Sequence, residues 1–164
     1  MELIFVIVGF LILGAVLMIV AKHLESKKPE ETLPFKLKNN FFSQSEFAFY
    51  NALLEELDTV RFRVFSKVRI ADFVETTATG KDFYHWFNKI KSKHIDFIIW
   101  DTRESKIALG VELDGKSHNS QKMNDRDNFV NKLYEQLKFP IKRIGLGKVF
   151  ADEVKAIKNQ IESA

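Results

Sequence analysis

The chain has 164 residues, 46% apolar and 29% charged, which suits one folded domain plus an anchor rather than two ordinary domains. It contains no cysteine, which excludes a disulfide-stapled fold, a thiol nucleophile, a Cys-ligated zinc site and a lipidated cysteine anchor. Glu2 is the one charged side chain among the first 20 residues, so the remainder holds 25 Lys/Arg against 21 Asp/Glu, a mildly basic balance that permits a polyanionic partner without requiring one.

Residues 3–21 (LIFVIVGFLILGAVLMIVA) run without a charge or a strong breaker. A helix of that length spans roughly 28 Å, close to the hydrocarbon thickness of a bilayer. A core helix this apolar would need apolar neighbours on every side, more than a domain of ~120 residues supplies. A cleaved leader would begin with basic residues and end in small ones. Here the run begins Met1-Glu2 and ends Met18-Ile19-Val20-Ala21-Lys22, so it reads as a retained single-pass anchor. Lys22, Lys27 and Lys28 follow the run and no Lys or Arg precedes it, which predicts an inner-membrane span with the C-terminal bulk in the cytoplasm. Gly9 and Gly14 are five apart and do not form a small-xxx-small face.

Residues 22–40 are charged, contain Pro29 and Pro34 and lack a sustained period, so they read as a linker. A flexible chain of that length spans roughly 25 Å and would keep the domain near the membrane surface.

Residues 41–164 read as one α/β domain. Ser43 with Glu46 three positions on has capping-box spacing, and Phe47, Tyr50, Leu53, Leu54 and Leu57 mark the apolar face of the helix that follows. Residues 61–70 are rich in β-branched and aromatic side chains and predict a strand. Residues 76–80 are a loop and 81–91 a short helix. Residues 94–100 (HIDFIIW) and 107–113 (IALGVEL) predict two buried strands joined by a polar hairpin, and Asp114-Gly115 closes the second. A helix capped by Asn124 or Asp125 carries Phe129, Val130, Leu133, Tyr134 and Leu137 on one face. A short strand over 139–144 and a last helix over 151–161, with Val154, Ile157 and Ile161 inward, complete a mixed sheet flanked by helices.

The chemistry-bearing residues lie on the two central strands. Asp96 interrupts an otherwise apolar strand, and Glu112 and Asp114 share one face of the next, because side chains alternate. Paired strands would bring Asp96 to Glu112. Converging carboxylates repel unless a cation sits between them, and all-oxygen ligands suit Mg²⁺ or Mn²⁺. Such a cation could acidify a water beside a phosphodiester and neutralise transition-state charge. The bland alternative is that Glu-Leu-Asp-Gly simply leaves a strand with its acids solvated.

His94-Ile95-Asp96-Phe97 followed by Gly110-Val111-Glu112-Leu113-Asp114-Gly115-Lys116-Ser117-His118 resembles the PD-(D/E)XK, or restriction-endonuclease-like, superfamily. The chain is most similar there to a bacterial family of uncharacterised domains related to very-short-patch-repair endonucleases. Arg126-Asp127 and Arg143 stand where those relatives carry an Arg-Asp pair on a helix and an Arg ending the last strand. The resemblance covers residues 41–150. It implies an αβββαβ core, metal-dependent hydrolysis of DNA or RNA, Asp96 and Glu112 as metal-binding carboxylates, and Glu46 as the acid of the first helix. One position departs. The superfamily places lysine two residues after the second acid, and Asp114 stands there instead. Lys116, Lys93 and His118 are the candidate substitutes.

Each of these residues also has a plainer reading. Glu46 completes a capping box, His118 is a turn histidine, Asp125 a cap, and Asp127 a surface ion pair or an orienter of the site. Phe83, His85, Trp86 and Phe87 pack locally. Basic residues cluster over 81–93 and 138–148, so Lys89, Lys91, Arg126 and Arg143 are candidate phosphate contacts around an acidic cleft. The expectation is a membrane-tethered, Mg²⁺- or Mn²⁺-dependent nuclease acting on nucleic acid, foremost DNA, with catalysis on Asp96, Glu112, Asp114, Lys116 and His118. The rivals are a catalytically degenerate nuclease fold that binds nucleic acid or a protein partner, and a membrane-associated interaction protein.

Overall fold

The computed structural model describes residues 1–25, 32–114 and 121–163, with the backbone alone described at 24–25 and 121–127. The chain divides into two compact units, residues 1–39 and 40–164.

The first unit contains helix α1 (Glu2–Glu25). Its stretch Glu2–His23 has a mean hydropathy of 3.2 and is nowhere buried. It is long and apolar enough to cross a membrane. The helix continues to Glu25, so residues 22–25, expected in the linker, are helical instead.

In the second unit, α2 (Gln44–Glu56) leads into β1 (Phe62–Arg69), a 3₁₀ turn (Ile70–Asp72) and α3 (Lys81–Ile90). Then come β2 (His94–Asp101), β3 (Lys106–Asp114), α4 (Gln121–Gln136), β4 (Ile141–Gly145) and α5 (Phe150–Glu162). The strands form one mixed sheet in the order β1-β2-β3-β4. The first two pairings are antiparallel and the β3–β4 pairing is parallel, with α4 as the crossover. Apart from the inserted α3, the elements from α2 to β4 follow the expected α-β-β-β-α-β sequence.

One face of the sheet is covered by α2 and α5. Phe49, Leu53 and Leu57 of the α2 region and Val154, Ile157 and Ile161 of α5 close over Phe97, Ile99, Leu109 and Val111. A second cluster joins Ile70, Ile90, Val130 and Tyr134. Because β2 and β3 meet apolar groups on both faces, they are nearly continuous hydrophobic runs rather than alternating ones. At Gly110 a β-carbon would fall 2.5 Å from Ile95 Cδ1 and 2.6 Å from Phe139 Cε1, so no side chain fits where β3 passes beneath them.

Several expected positions shift. The buried stripe of α2 runs through Phe49, Leu53 and Leu57, four residues apart, and Phe47 and Leu54 lie off it and are exposed. Leu137 follows the end of α4 and is exposed too. Asp125 lies inside α4, which begins at Gln121, rather than at a cap. β4 starts at Ile141, since Pro140 has no N–H to give. Phe139 stacks on Phe73 and Tyr134 instead, and Pro140 accepts from the Gly110 N–H at 2.7 Å.

Candidate functional site

Backbone register sets four charged residues side by side across the sheet. Glu112 of β3 pairs with Arg143 of β4. One residue beyond the Phe97–Val111 pair, the β2–β3 register brings Asp96 opposite Glu112. In β1, Lys67 falls opposite Asp96, between the pairs Ser66–Phe97 and Val68–Ile95. The order across the strands is Lys67, Asp96, Glu112, Arg143: two acids flanked by two bases.

Asp96 is half-buried, and the Leu113 N–H donates to its Oδ2 at 2.8 Å. That bond fixes the carboxylate against β3 beside Glu112. Burial pushes the Asp96 pKa up; the Leu113 N–H and the Lys67 charge oppose that, while the charges of Glu46 and Asp114 add to it. Glu112 is raised for the same main reason, burial, and Asp96 and Asp114 push it further. Arg143 opposes the shift, donating from Nε to Glu112 Oε2 at 2.9 Å while its Nη2 donates to Asn131 of α4. The hydroxyl of Tyr134, also on α4, is buried close enough to Glu112 to feel its charge, but it lacks the geometry of a full hydrogen bond. Burial, chiefly, drives the phenol pKa far upward, so it stays protonated.

At the other end of the row, Glu46 forms the capping box that the spacing predicts and also pairs with Lys67. Its Oε2 accepts from the Ser43 N–H at 2.6 Å and its own N–H donates to Ser43 Oγ, which completes the capping box. Its Oε1 accepts from Lys67 Nζ at 2.6 Å. Burial alone would raise the Glu46 pKa, but Lys67 and the cap together bring it below the ordinary value. The start of α2 therefore lies within electrostatic reach of Asp96.

Lys67 was not singled out from the sequence. It has a φ of 52°, in the left-handed region, in the middle of a strand. For a residue with a Cβ that conformation costs about 1–2 kcal/mol. A part-exposed ion pair such as Lys67–Glu46 contributes about 0–1 kcal/mol. The pair alone does not offset the backbone cost. The sequence carried little signal, because β1 (FRVFSKVR) holds Arg63 and Arg69 as well, and Lys67 comes opposite Asp96 only through the β1–β2 register.

The remaining candidates fall as follows. Asp114 ends β3, exposed, opposite Gly145. Lys116 and His118 lie outside the described residues, as do the side chains of Arg126 and Asp127. Lys93 Nζ is 5.9 Å from the Phe129 ring. Lys89 lies 4.5 Å from the Trp86 ring and 5.4 Å from that of Phe129, which ties the aromatic run of α3 to α4 as local packing. Lys91 caps the end of α3. The 138–148 stretch is less basic in space than in sequence, because Lys142 pairs with Glu153 at 3.1 Å and Arg143 with Glu112. An open groove of about 390 Å³ beside Arg143 is lined by Asn131, Tyr134, Lys138 and Phe139 among others.

Among the described residues no three His, Asp or Glu side chains gather closely enough to enclose a metal unaided. The donor set that does fit a hard cation is the pair Asp96 and Glu112. Each has one oxygen engaged, by the Leu113 N–H and by Arg143 respectively, and the Asp96 charge adds to the upward push on Glu112. Mg²⁺ commonly takes one or two protein carboxylates and completes its shell with water and phosphate oxygens.

Residues 38–164 match the family described as Protein of unknown function (DUF2726). The chain belongs to this family. The DUF2726 match contains α2 to α5 and every residue of the charged row, and α1 lies outside it. Comparison with curated proteins and with solved structures finds no match.

Proposed function

We propose that this protein is a membrane-anchored, divalent-cation-dependent nuclease of the restriction-endonuclease-like kind, hydrolysing phosphodiester bonds in DNA. The observation that carries the reading is the row Lys67-Asp96-Glu112-Arg143, in which two half-buried carboxylates lie side by side on the central strands. An α-β-β-β-α-β order with an acid on the first helix supports it, as does the spacing Asp96-Phe97 and Glu112-Leu113-Asp114-Gly115.

In the reaction a water oxygen attacks phosphorus and the bond from phosphorus to one sugar oxygen breaks. The attacking water gives up a proton and the departing oxygen takes one, so a diester and a water become a monoester and an alcohol. Asp96 and Glu112 would hold Mg²⁺ or Mn²⁺, which would supply charge neutralisation and acidify water. The Leu113 N–H orients Asp96, and Arg143 occupies one oxygen of Glu112 and neutralises its charge until displaced by the cation. Lysines outside the row supply phosphate contacts that position the duplex. The uncharged span of α1 with lysines only on its C-terminal side supports a single pass through the inner membrane and a cytoplasmic domain.

A second reading rests on Asp114 in the lysine position and on the Arg143 clamp over Glu112: a nuclease fold that binds nucleic acid without cutting it. The deciding experiment incubates the full-length chain in detergent micelles with plasmid DNA and Mg²⁺ or Mn²⁺. Cleavage abolished by EDTA is expected. Binding of DNA without cleavage favours the second reading, and cleavage of RNA alone corrects the substrate.

A further inference from the structure

We infer that Lys67 is the phosphate-contacting cation of this site, the group that neutralises charge on the scissile phosphate in place of the lysine absent from position 114. The inference rests on the nuclease reading and assigns one residue within it.

Three observations carry it. Lys67 lies opposite Asp96 in the β1–β2 register, so its backbone borders the carboxylate pair on the side away from Arg143. Its φ of 52° interrupts the ladder at that residue alone, between two regular pairs. A regular strand would need no such conformation. Finally, Glu46 Oε1 accepts one ammonium hydrogen at 2.6 Å, and an ammonium has three. Two donors remain for an incoming oxyanion, and the side chain keeps about a third of its surface open.

The other cations of the row and its rim are less suited. Arg143 bonds Glu112 itself, one of the two acids that would hold the metal, and also Asn131, whereas Lys67 bonds an acid outside that pair. Lys93 precedes β2 and stands outside the paired row; ring contact does not separate the two lysines, since Lys93 Nζ is 5.9 Å from the Phe129 ring and Lys67 Nζ 5.9 Å from those of both Phe41 and Phe42. Lys67, in contrast, is held by a carboxylate that is itself fixed by the Ser43 cap. A cation held in place before the substrate arrives stabilises charge developing on phosphate without reorganising. Glu46 thus acts as a positioning residue for Lys67, and the capping box of α2 becomes part of the site.

The test compares wild type, Lys67→Met and Lys67→Arg as full-length chains in detergent micelles, with plasmid DNA as substrate and Mn²⁺ as the metal. Thermal melts with and without Mn²⁺ give a readout independent of cleavage. Lys67→Met is expected to lower the cleavage rate constant by about 100-fold or more while the Mn²⁺-induced rise in melting temperature persists. Lys67→Arg, which keeps the charge, is expected to recover most of the rate. If Lys67→Met melts far below wild type, Lys67→Gln carries the same comparison, because its amide can still donate to Glu46 without a charge. Wild-type cleavage that Lys67→Met or Lys67→Gln retains within about threefold overturns the assignment and leaves the nuclease reading standing. A wild-type chain that melts identically with and without Mn²⁺ and cuts nothing overturns both.

Discussion

Glu112 and Arg143 face each other across the parallel β3–β4 ladder, and Arg143 Nε meets Glu112 Oε2 at 2.9 Å. The guanidinium therefore occupies the flank of the carboxylate pair that a divalent cation would share. Arg143→Met should leave Glu112 half-buried beside Asp96 with its opposing charge gone. The carboxyl then titrates still higher, and the loss of stability should be largest above the raised folded-state value and shrink as pH falls through it. With the competitor removed, the Mn²⁺-induced rise in melting temperature should grow. Melts of full-length protein in detergent micelles across pH check both; a Mn²⁺ effect that disappears would make Arg143 a partner of the metal site rather than its rival.

The carboxylate pair itself predicts a pH profile. Asp96 and Glu112 are both held above their ordinary values by burial and neighbouring acids. Their contribution to stability is complete below the ordinary carboxylate range and is lost as pH rises through the folded-state values. In EDTA the melting temperature should thus rise as pH falls from neutrality through the folded-state values toward the ordinary carboxylate range. Below the ordinary carboxylate range it should fall again, because Glu46, Asp72 and Asp101 have lowered values and lose their contributions there. Asp96→Asn should flatten the upper part of this profile and slightly raise the metal-free melting temperature. Saturating Mg²⁺ or Mn²⁺ at about 100 times its Kd should add roughly 2.7 kcal/mol to wild type and little to Asp96→Asn. Unchanged melts in tens of millimolar Mg²⁺ and in millimolar Mn²⁺ would remove the metal site.

Most of the fold was legible in the sequence because periodicity and turn chemistry agreed. The runs HIDFIIW and IALGVEL became β2 and β3, and Ser43–Glu46 became the capping box the spacing announced. The inward face of α5 was read correctly at Val154, Ile157 and Ile161. What failed depended on which part of an apolar helix face touches the sheet: Phe47 and Phe49 are equally apolar, and only packing shows that Phe49 is the buried one. Asp96 beside Glu112 followed from strand pairing. Lys67 did not, since its relevance needs both the β1–β2 register and a left-handed backbone that propensity gives no reason to expect. Asp101 was missed as well. It reads as a polar hairpin residue, yet it is 2% exposed, accepts from Arg61 Nη2 at 2.8 Å and receives the Arg103 N–H of the turn.

That ion pair supplies a control at the far end of β2. Asp101→Ala should release Arg61 and unlock the β2–β3 turn, lowering the melting temperature by several degrees. The Mn²⁺-induced rise should be unchanged, because Asp101 lies at the opposite end of β2 from Asp96. Loss of the Mn²⁺ response in a folded Asp101→Ala protein would mean that metal binding is not local to the charged row.

The anchor can be tested without a background, since the chain has no cysteine. Ser163→Cys places a thiol at an exposed position beyond α5. In intact spheroplasts a membrane-impermeant maleimide should leave it unlabelled, and detergent should expose it. Labelling of intact cells would put the domain on the outer side, and full-length protein in the soluble fraction would remove the anchor.

The last prediction separates chemistry from affinity. Asp96→Ala and Glu112→Ala should each abolish cleavage of plasmid DNA while changing DNA binding by only a few-fold. The acids hold the group that stabilises the transition state, whereas affinity comes from lysines on phosphates and falls with salt. Asp114→Lys sharpens the comparison. A lysine there would restore the superfamily residue, but Asp114 adds negative charge that both Asp96 and Glu112 feel. Replacing it by a cation should raise metal-free stability, weaken Mn²⁺ binding and, with Lys67 already supplying the phosphate cation, yield no gain in rate. A rate that increases in Asp114→Lys would mean that the missing lysine had not been replaced elsewhere in the chain. Cleavage that survives both Asp96→Ala and Glu112→Ala would put the active centre on other residues.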